Sequence, residues 1–439
     1  MLVLYYIKIA LRDLSASLGL STLIVCSIAF GICATTASVS VFRAVSGDPI
    51  PEKSSRLFIP QIDFWGPDVA KGNKGDPPQG LDYLDAVNLW RDHKASMQSP
   101  LFQVVPWLYP DDGKSPFKVV GHAVTSEFFS MVDVPFVAGG PWNAATDNDG
   151  VPVAVISREL SLKLFGSDRA VGRDLNIQGD QYRIIGIINL WHPQPRFYDL
   201  FNTGGFTTIQ DDVFIPFKAA IDNNLQPVGS ISCQTRPKDY RLESLERSDC
   251  AWLSYMVQID DSVAVSAYEA YLYNYASEQR ALGRFSWQPN NRLRNLDNWL
   301  TYRKVVPKET KMSLCISFGL LLASMASTAG LLFSQFLRRQ REILIRRALG
   351  ASRYAVFGQF MTQAAVLGCI GGAAGVGLAA LCIEGLRYVL PEGLADAVHL
   401  FPSVMFIALW LAVSGAMIAG FYPMIIVIQR EIDLKVNAA

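Results

Sequence analysis

The chain has 439 residues, enough for a membrane bundle together with one or two soluble domains. Half of the residues are hydrophobic and 18% are charged, with 39 basic side chains against 39 acidic ones. The balance excludes the bulk basic signal of a nucleic-acid-binding protein, and charge nearly vanishes from four stretches, 18–42, 312–337, 364–386 and 404–428.

Residues 1–17 precede the first of these stretches. Within them, 3–14 reads as an amphipathic helix on the inner membrane surface, or as a plain extension of the first span. A bilayer core is crossed by about 20 apolar helical residues. Residues 18–42 carry no charge and exceed the apolar core of a cleaved signal peptide, so an uncleaved span is expected over 18–44.

The region 45–291 reads as a soluble mixed α/β domain. Strands are expected at 57–62 and 102–105, and a short helix at 81–90. A strand at 151–156 runs into a helix that Ser157 can cap and that stops near Gly166. Residues 174–177 and 182–188 form a hairpin about Gly179-Asp180, followed by a strand at 252–259 and a helix at 263–282. Leu293, Leu296 and Leu300 recur at helical spacing, so 292–311 is read as a stalk to the membrane, bent at Pro307; a surface helix is the alternative.

Three more spans are expected at 312–337, 356–390 and 403–428, separated by a segment at 338–355 and a turn at 391–402, with a tail at 429–439. Only unbroken helices satisfy their own backbone in lipid. The fold class is therefore a membrane protein with four transmembrane α-helices and a large mixed α/β extracytoplasmic domain inserted between helices 1 and 2.

Orientation follows from Arg338, Arg339, Arg341, Arg346, Arg347 and Arg353, opposed in their loop by Glu342 alone. That loop is expected inside, as are Lys8, Arg12, Arg430 and Lys435 near the termini. Of seven cysteines, Cys26, Cys33, Cys315, Cys369 and Cys382 lie in apolar runs as small packing residues. Cys233 and Cys250 lie in the outer region, where an oxidising compartment favours one disulfide over two unpaired buried thiols. Gly368/Gly372 and Gly371/Gly375 have GxxxG spacing, which predicts close helix packing within the chain or against a partner.

No enzymatic site is expected. Gly113-Lys114-Ser115 lacks the glycine a phosphate-binding loop needs five residues earlier, where Leu108 stands. His93, His122, His192 and His399 have no metal-ligand spacing among themselves or with cysteine. Asp147-Asn148-Asp149-Gly150 lacks the closing glutamate of a calcium loop and is read as an Asx-type turn.

The segment 338–352 reads RRQREILIRRALGAS, and the outer region contains EFFSMVDVPFVAGGPWN, VPVAVISRELSLKLFG and VGRDLNIQGDQYRIIGII. With the order of one span, a large outer domain and three spans, these strings resemble the MacB-like (type VII) ABC transporter permeases of the FtsX-like superfamily, without a fused ATPase domain. The tail QREIDLKVNAA departs from the family in lacking its common proline-containing element.

The resemblance implies that Arg341, Glu342, Arg346, Arg347, Ala348, Leu349, Gly350 and Ala351 contact a cytosolic ATPase. Read from the residues alone, they form a stiff exposed helix stopped at Gly350, for which anchoring to anionic lipid is the alternative. The resemblance further implies a permease that couples a separate ATPase dimer, which binds ATP and Mg, to movements of a periplasmic domain that drive export. This chain itself would hold no cofactor. Implied partners are a second permease chain, identical or not, and the lipid bilayer, with a periplasmic adaptor and an outer-membrane channel as further candidates. The implied place is the bacterial inner membrane, with both termini cytoplasmic. Lol-type lipoprotein or lipid extraction and FtsX-like control of a cell-wall hydrolase are the alternatives.

Overall fold

A computed structural model of the chain describes residues 9, 12, 17–66, 75–110, 113, 115–203, 205–206, 209–338, 345, 352–389, 395 and 398–436. The chain divides into two compact units, Met1–Gly47 with Val306–Ala439, and Asp48–Val305.

The first unit is built on four long helices, Leu18–Ser46, Lys308–Arg338, Arg353–Arg387 and Pro402–Val436, referred to as the first to fourth spans. All four contain stretches long and apolar enough to cross a membrane. The 29 residues of the first span extend about 44 Å at 1.5 Å per residue, against a hydrocarbon core of about 30 Å. Local chemistry sets the boundaries. Ser352 caps the third span by accepting the Ala355 N–H, and the Gly47 N–H closes the first by donating to the Arg43 carbonyl. Pro307 lies between the helix Leu296–Tyr302 and the second span, and it marks the start of the latter. The fourth helix continues through most of the expected tail, to Val436. Apart from Ile9 and Arg12, the amphipathic segment 3–14 falls outside the described residues, as does much of the turn 391–402.

The second unit is organised by a 13-stranded sheet. In chain order the strands are β1 (Leu57–Gln61), β2 (Met97–Val104), β3 (Trp107–Tyr109), β4 (Phe117–Lys118), β5 (Gly121–Val124), β6 (Phe136–Gly139), β7 (Val153–Ser157), β8 (Asp174–Ile177), β9 (Asp180–Ile188), β10 (Val213–Pro216), β11 (Pro227–Val228), β12 (Ser232–Cys233), β13 (Cys250–Ala251), β14 (Ser254–Gln258) and β15 (Arg292–Asn295). Their order across the sheet is β15-β1-β14-β2-β5-β10-β7-β9-β8-β3-β4, with β11 beside β2 and β6 beside β9, while β12 and β13 form a separate pair. Central strands are buried on both faces, and alternate residues enter two different cores. In β7, Ala154 and Ile156 join one core while Val153 and Val155 join the other; in β10, Val213 and Ile215 oppose Phe214 in the same way.

Several expected elements appear with their chemistry. Ser157 accepts the Leu160 N–H at 3.0 Å and caps the helix Arg158–Phe165, which ends at Gly166 with φ of 67°. β8 and β9 pair antiparallel about Gly179, whose φ of 106° is a conformation that favours glycine.

Other expectations are corrected. β2 begins at Met97, ahead of the expected 102, and runs through Pro100, which stands opposite Tyr255. Leu293 belongs to strand β15, paired with Pro60, and the helix spans only Leu296–Tyr302 with Leu296 and Trp299 buried. The first part of the expected stalk is therefore built into the outer unit. Asp147–Asp149 is the last turn of a helix, Ala144–Asp149, capped by Asn143 and closed by Gly150 with φ of 65°, and not an Asx turn.

Cys233 and Cys250 are joined in a disulfide that ties β12 to β13 across a sequence separation of 17. Replacing both with serine is expected to cost the outer unit about 2–4 kcal/mol. Trp252, fully buried two residues from Cys250, supplies the fluorescence signal for a urea titration that checks it.

Candidate functional site

Arg341, Glu342, Arg346, Arg347, Ala348, Leu349, Gly350 and Ala351 lie outside the described residues. The flanks are defined: Arg338 ends the second span and Ser352 caps the third. Between them Ile345 is helical and 62% exposed.

The chain leaves the membrane unit after Gly47 and returns at Val306, so the first and second spans are its two covalent connections to the outer domain. These spans are zipped together by small polar residues. Ser27 Oγ donates to the Ser324 carbonyl at 3.2 Å, and Thr35 Oγ1 donates to the Ser317 carbonyl at 3.3 Å. The Ser38 and Ser313 hydroxyls lie 3.5 Å apart, and a side chain at Gly31 would collide with Ser324. At the N-terminal end of the first span, Gln335 Nε2 donates to Ser17 Oγ at 2.9 Å. Sequence reasoning missed this seam. Its signal was Ser27, Gly31, Thr35 and Ser38 at intervals of three and four, one stripe of a helix made of small residues.

The third span uses its glycines on two faces. A Cβ at Gly371 would lie 2.8 Å from Ile28 Cβ, and one at Gly375 would lie 2.8 Å from the Ala29 carbonyl oxygen, both on the first span. At Gly368 and Gly372 the obstacles are Ala412 and its neighbours on the fourth span. Both pairs therefore serve packing within the chain, and the first span is gripped by the second and third together.

The outer unit holds a buried ionic cluster. His122 on β5 donates from Nε2 to Asp199 Oδ2 at 2.9 Å, and its Nδ1 lies 3.0 Å from Asp211 Oδ1. Tyr198 OH donates to Asp211 Oδ2 at 2.5 Å, Ser254 Oγ to Asp199 Oδ1 at 2.5 Å, and Asn202 Nδ2 to the same oxygen at 2.8 Å. Arg196 Nη1 stands 3.5 Å from Asp211 Oδ1. Burial works against the charge on His122, but the Asp211 carboxylate and the bonds to both aspartates prevail and hold its pKa up at about 9. Burial likewise works against ionised Asp211, and the charges of His122 and Arg196 outweigh it, holding the carboxyl down at about 2. With His122, Asp199 and Asp211 all shielded from water, the cluster fastens the segment 196–211 to the sheet and offers no surface to a ligand. Among the described residues no group of three or more His, Cys, Asp or Glu is placed to hold a metal.

A family model described as MacB-like periplasmic core domain matches residues 21–274, and one described as FtsX-like permease C-terminal matches residues 314–432. Two curated relatives are both named pyoverdine export ATP-binding/permease protein PvdT. The one from Pseudomonas aeruginosa is 24% identical over 264 residues, covering 60% of this chain and 34% of the relative. The one from Pseudomonas entomophila is 25% identical over 410 residues, covering 90% of this chain and 54% of the relative. The chain thus spans between about a third and about half of the length of these relatives. Among solved structures, the periplasmic region of MacB from Actinobacillus actinomycetemcomitans aligns with a TM-score of 0.36 at 12% identity, covering 57% of this chain and 94% of that one. The extracellular domain of the noncanonic ABC-type transporter YknZ from Gram-positive bacteria aligns with a TM-score of 0.34 at 11% identity, covering 54% and 100%.

Proposed function

Because the chain belongs to the family of MacB-like, FtsX-like ABC transporter permeases, we propose that it is the permease part of an exporter driven by a cytosolic ATPase. The observation that carries this reading is the order of the two matched regions, 21–274 and 314–432, on a chain with one span before its outer domain and three after it.

In this reading an ATPase dimer engages the segment 338–352 of two permease chains in the bacterial inner membrane, with the termini inside. ATP and Mg are bound and used by that partner. Closure of the dimer moves the segment, and the seam between the first and second spans transmits the displacement to the outer domain. A pyoverdine-like compound is the candidate cargo, after the names of the two relatives.

Replacing Glu342 and Arg346 together with alanine is expected to reduce permease-stimulated ATP turnover in the reconstituted complex by about tenfold, within the 1–3 kcal/mol typical of coupling between sites. ATPase binding should weaken in parallel. Unchanged binding and turnover would remove both residues from the interface.

A further inference from the structure

A cavity of about 310 Å³ opens among the first, second and fourth spans, toward the outer end of the first. That volume is at the low end for small-molecule sites, about 300–1,000 Å³. Ile32, Phe318, Leu321 and Ala408 supply apolar walls. Three polar residues of the first span also line it: Thr35, whose hydroxyl is already bonded to the Gly31 and Ser317 carbonyls, and Thr36 and Arg43.

Thr36 is 2% exposed, and among the described residues its hydroxyl has no hydrogen-bond partner. A buried hydroxyl left unpaired costs about 1–3 kcal/mol, so an acceptor entering the cavity would be favoured there. Arg43 stands at the outer rim. Its Nη1 donates to Ser403 Oγ at 2.9 Å and its guanidinium lies 5.0 Å from the centroid of the Phe401 ring. Among the described residues no carboxylate comes within ion-pair distance of it. A guanidinium with its forked donors matches a phosphate, and without an adjacent acid the rim offers nothing to an ammonium headgroup.

Thr36 and Arg43 are seven residues apart, two turns along one face and about 10 Å along the axis. One headgroup layer of a bilayer is about 5–8 Å deep, and the long Arg43 side chain spans the difference.

We propose that this cavity binds one anionic phospholipid of the outer leaflet. Its phosphate sits on Arg43, an ester carbonyl accepts the Thr36 hydroxyl, and one acyl chain lies against Phe318, Leu321 and Ala408. The proposal goes beyond the export reading and does not depend on it.

The test is lipid retention by the full chain, delipidated in detergent, titrated with phosphatidylglycerol or phosphatidylethanolamine and weighed by native mass spectrometry. One phosphatidylglycerol per chain should be held about tenfold more tightly than phosphatidylethanolamine. Arg43→Gln should abolish that preference, Thr36→Val should weaken retention several-fold with packing preserved, and Ala408→Phe should fill the cavity and remove the bound lipid. Thermal midpoints of the Arg43→Gln and Thr36→Val variants, unchanged, show that the bundle still forms. Equal retention of the two lipids by the unaltered chain overturns the proposal, as does undiminished retention in all three variants. Preferential capture of a triacylated peptide over phosphatidylglycerol also overturns it. No ATPase or cargo enters the measurement, so its failure leaves the export reading standing.

Discussion

Asp211→Asn is expected to destabilise the outer domain by about 3–5 kcal/mol, the range for removing one partner from a buried ion pair. The substitution keeps shape and volume but removes the charge that faces His122 Nδ1 at 3.0 Å and Arg196 Nη1 at 3.5 Å. Two buried cations would then share Asp199 alone. Urea unfolding of the full chain in detergent, followed by tryptophan fluorescence, reads the loss. Trp191 stacks on Tyr198 with ring centroids 5.2 Å apart and reports directly on this region. A loss well under 1 kcal/mol would show that the cluster does not hold the segment in place.

The same cluster predicts a pH profile. His122 is held at about 9 in the folded domain, above its ordinary 6.5, so its contribution is complete below pH 6.5 and is lost as pH rises through about 9. At 1.36 kcal/mol per pKa unit that contribution is about 3 kcal/mol, the same interaction that Asp211→Asn removes. Asp211 is held at about 2, below its ordinary 3.8, so its contribution is present above pH 3.8 and is lost as pH falls through about 2. Urea midpoints should therefore fall between pH 6.5 and pH 9 in the unaltered chain. In Asp211→Asn, without the charge that chiefly holds the imidazolium, that alkaline decline should flatten.

The sequence disclosed what is determined locally. A serine ahead of an apolar helix, a glycine after it, and uncharged runs of span length each carry their reason within a few residues, as at Ser157, Gly166 and 18–42. Pro100 concealed the start of β2, because a proline within an apolar run argues against a sheet interior; Tyr255 across from it shows the strand continuing. The leucines at 293, 296 and 300 followed a helical period although the first lies in a strand and the next two in a helix. The ionic cluster could not be read at all. His122 and Asp199 are 77 residues apart; Asp199 is held against Ser254 of β14, and Asp211 arrives through the pairing of β5 with β10, where Phe214 stands opposite His122.

Gly371→Leu combined with Gly375→Leu is expected to disrupt the membrane unit. Each glycine already places a Cβ position 2.8 Å from an atom of the first span, Ile28 Cβ at one and the Ala29 carbonyl oxygen at the other. A backbone carbonyl and a β-branched side chain cannot yield, so the helices must separate. Overpacking costs about 1–3 kcal/mol at a single site. The two sites lie one turn apart on one interface, so their effects should couple rather than add independently. In lipid the loss is felt in full, because van der Waals packing and not exclusion of water holds such helices together. Gly377→Leu is the matched control, since a Cβ there would meet no neighbouring atom within 4 Å. Thermal midpoints in detergent should fall for the double variant and hold for the control. The consequence for coupling follows from the connectivity. The first span is the chain's first path to the outer domain, and it is held by the second span on one side and the third on the other. On the proposed reading, displacing the third span loosens one of the two grips, so ATP turnover should become insensitive to the permease even with residues 338–352 unaltered. A double variant that matched the control in both thermal midpoint and turnover would mean that this glycine face carries neither packing nor transmission.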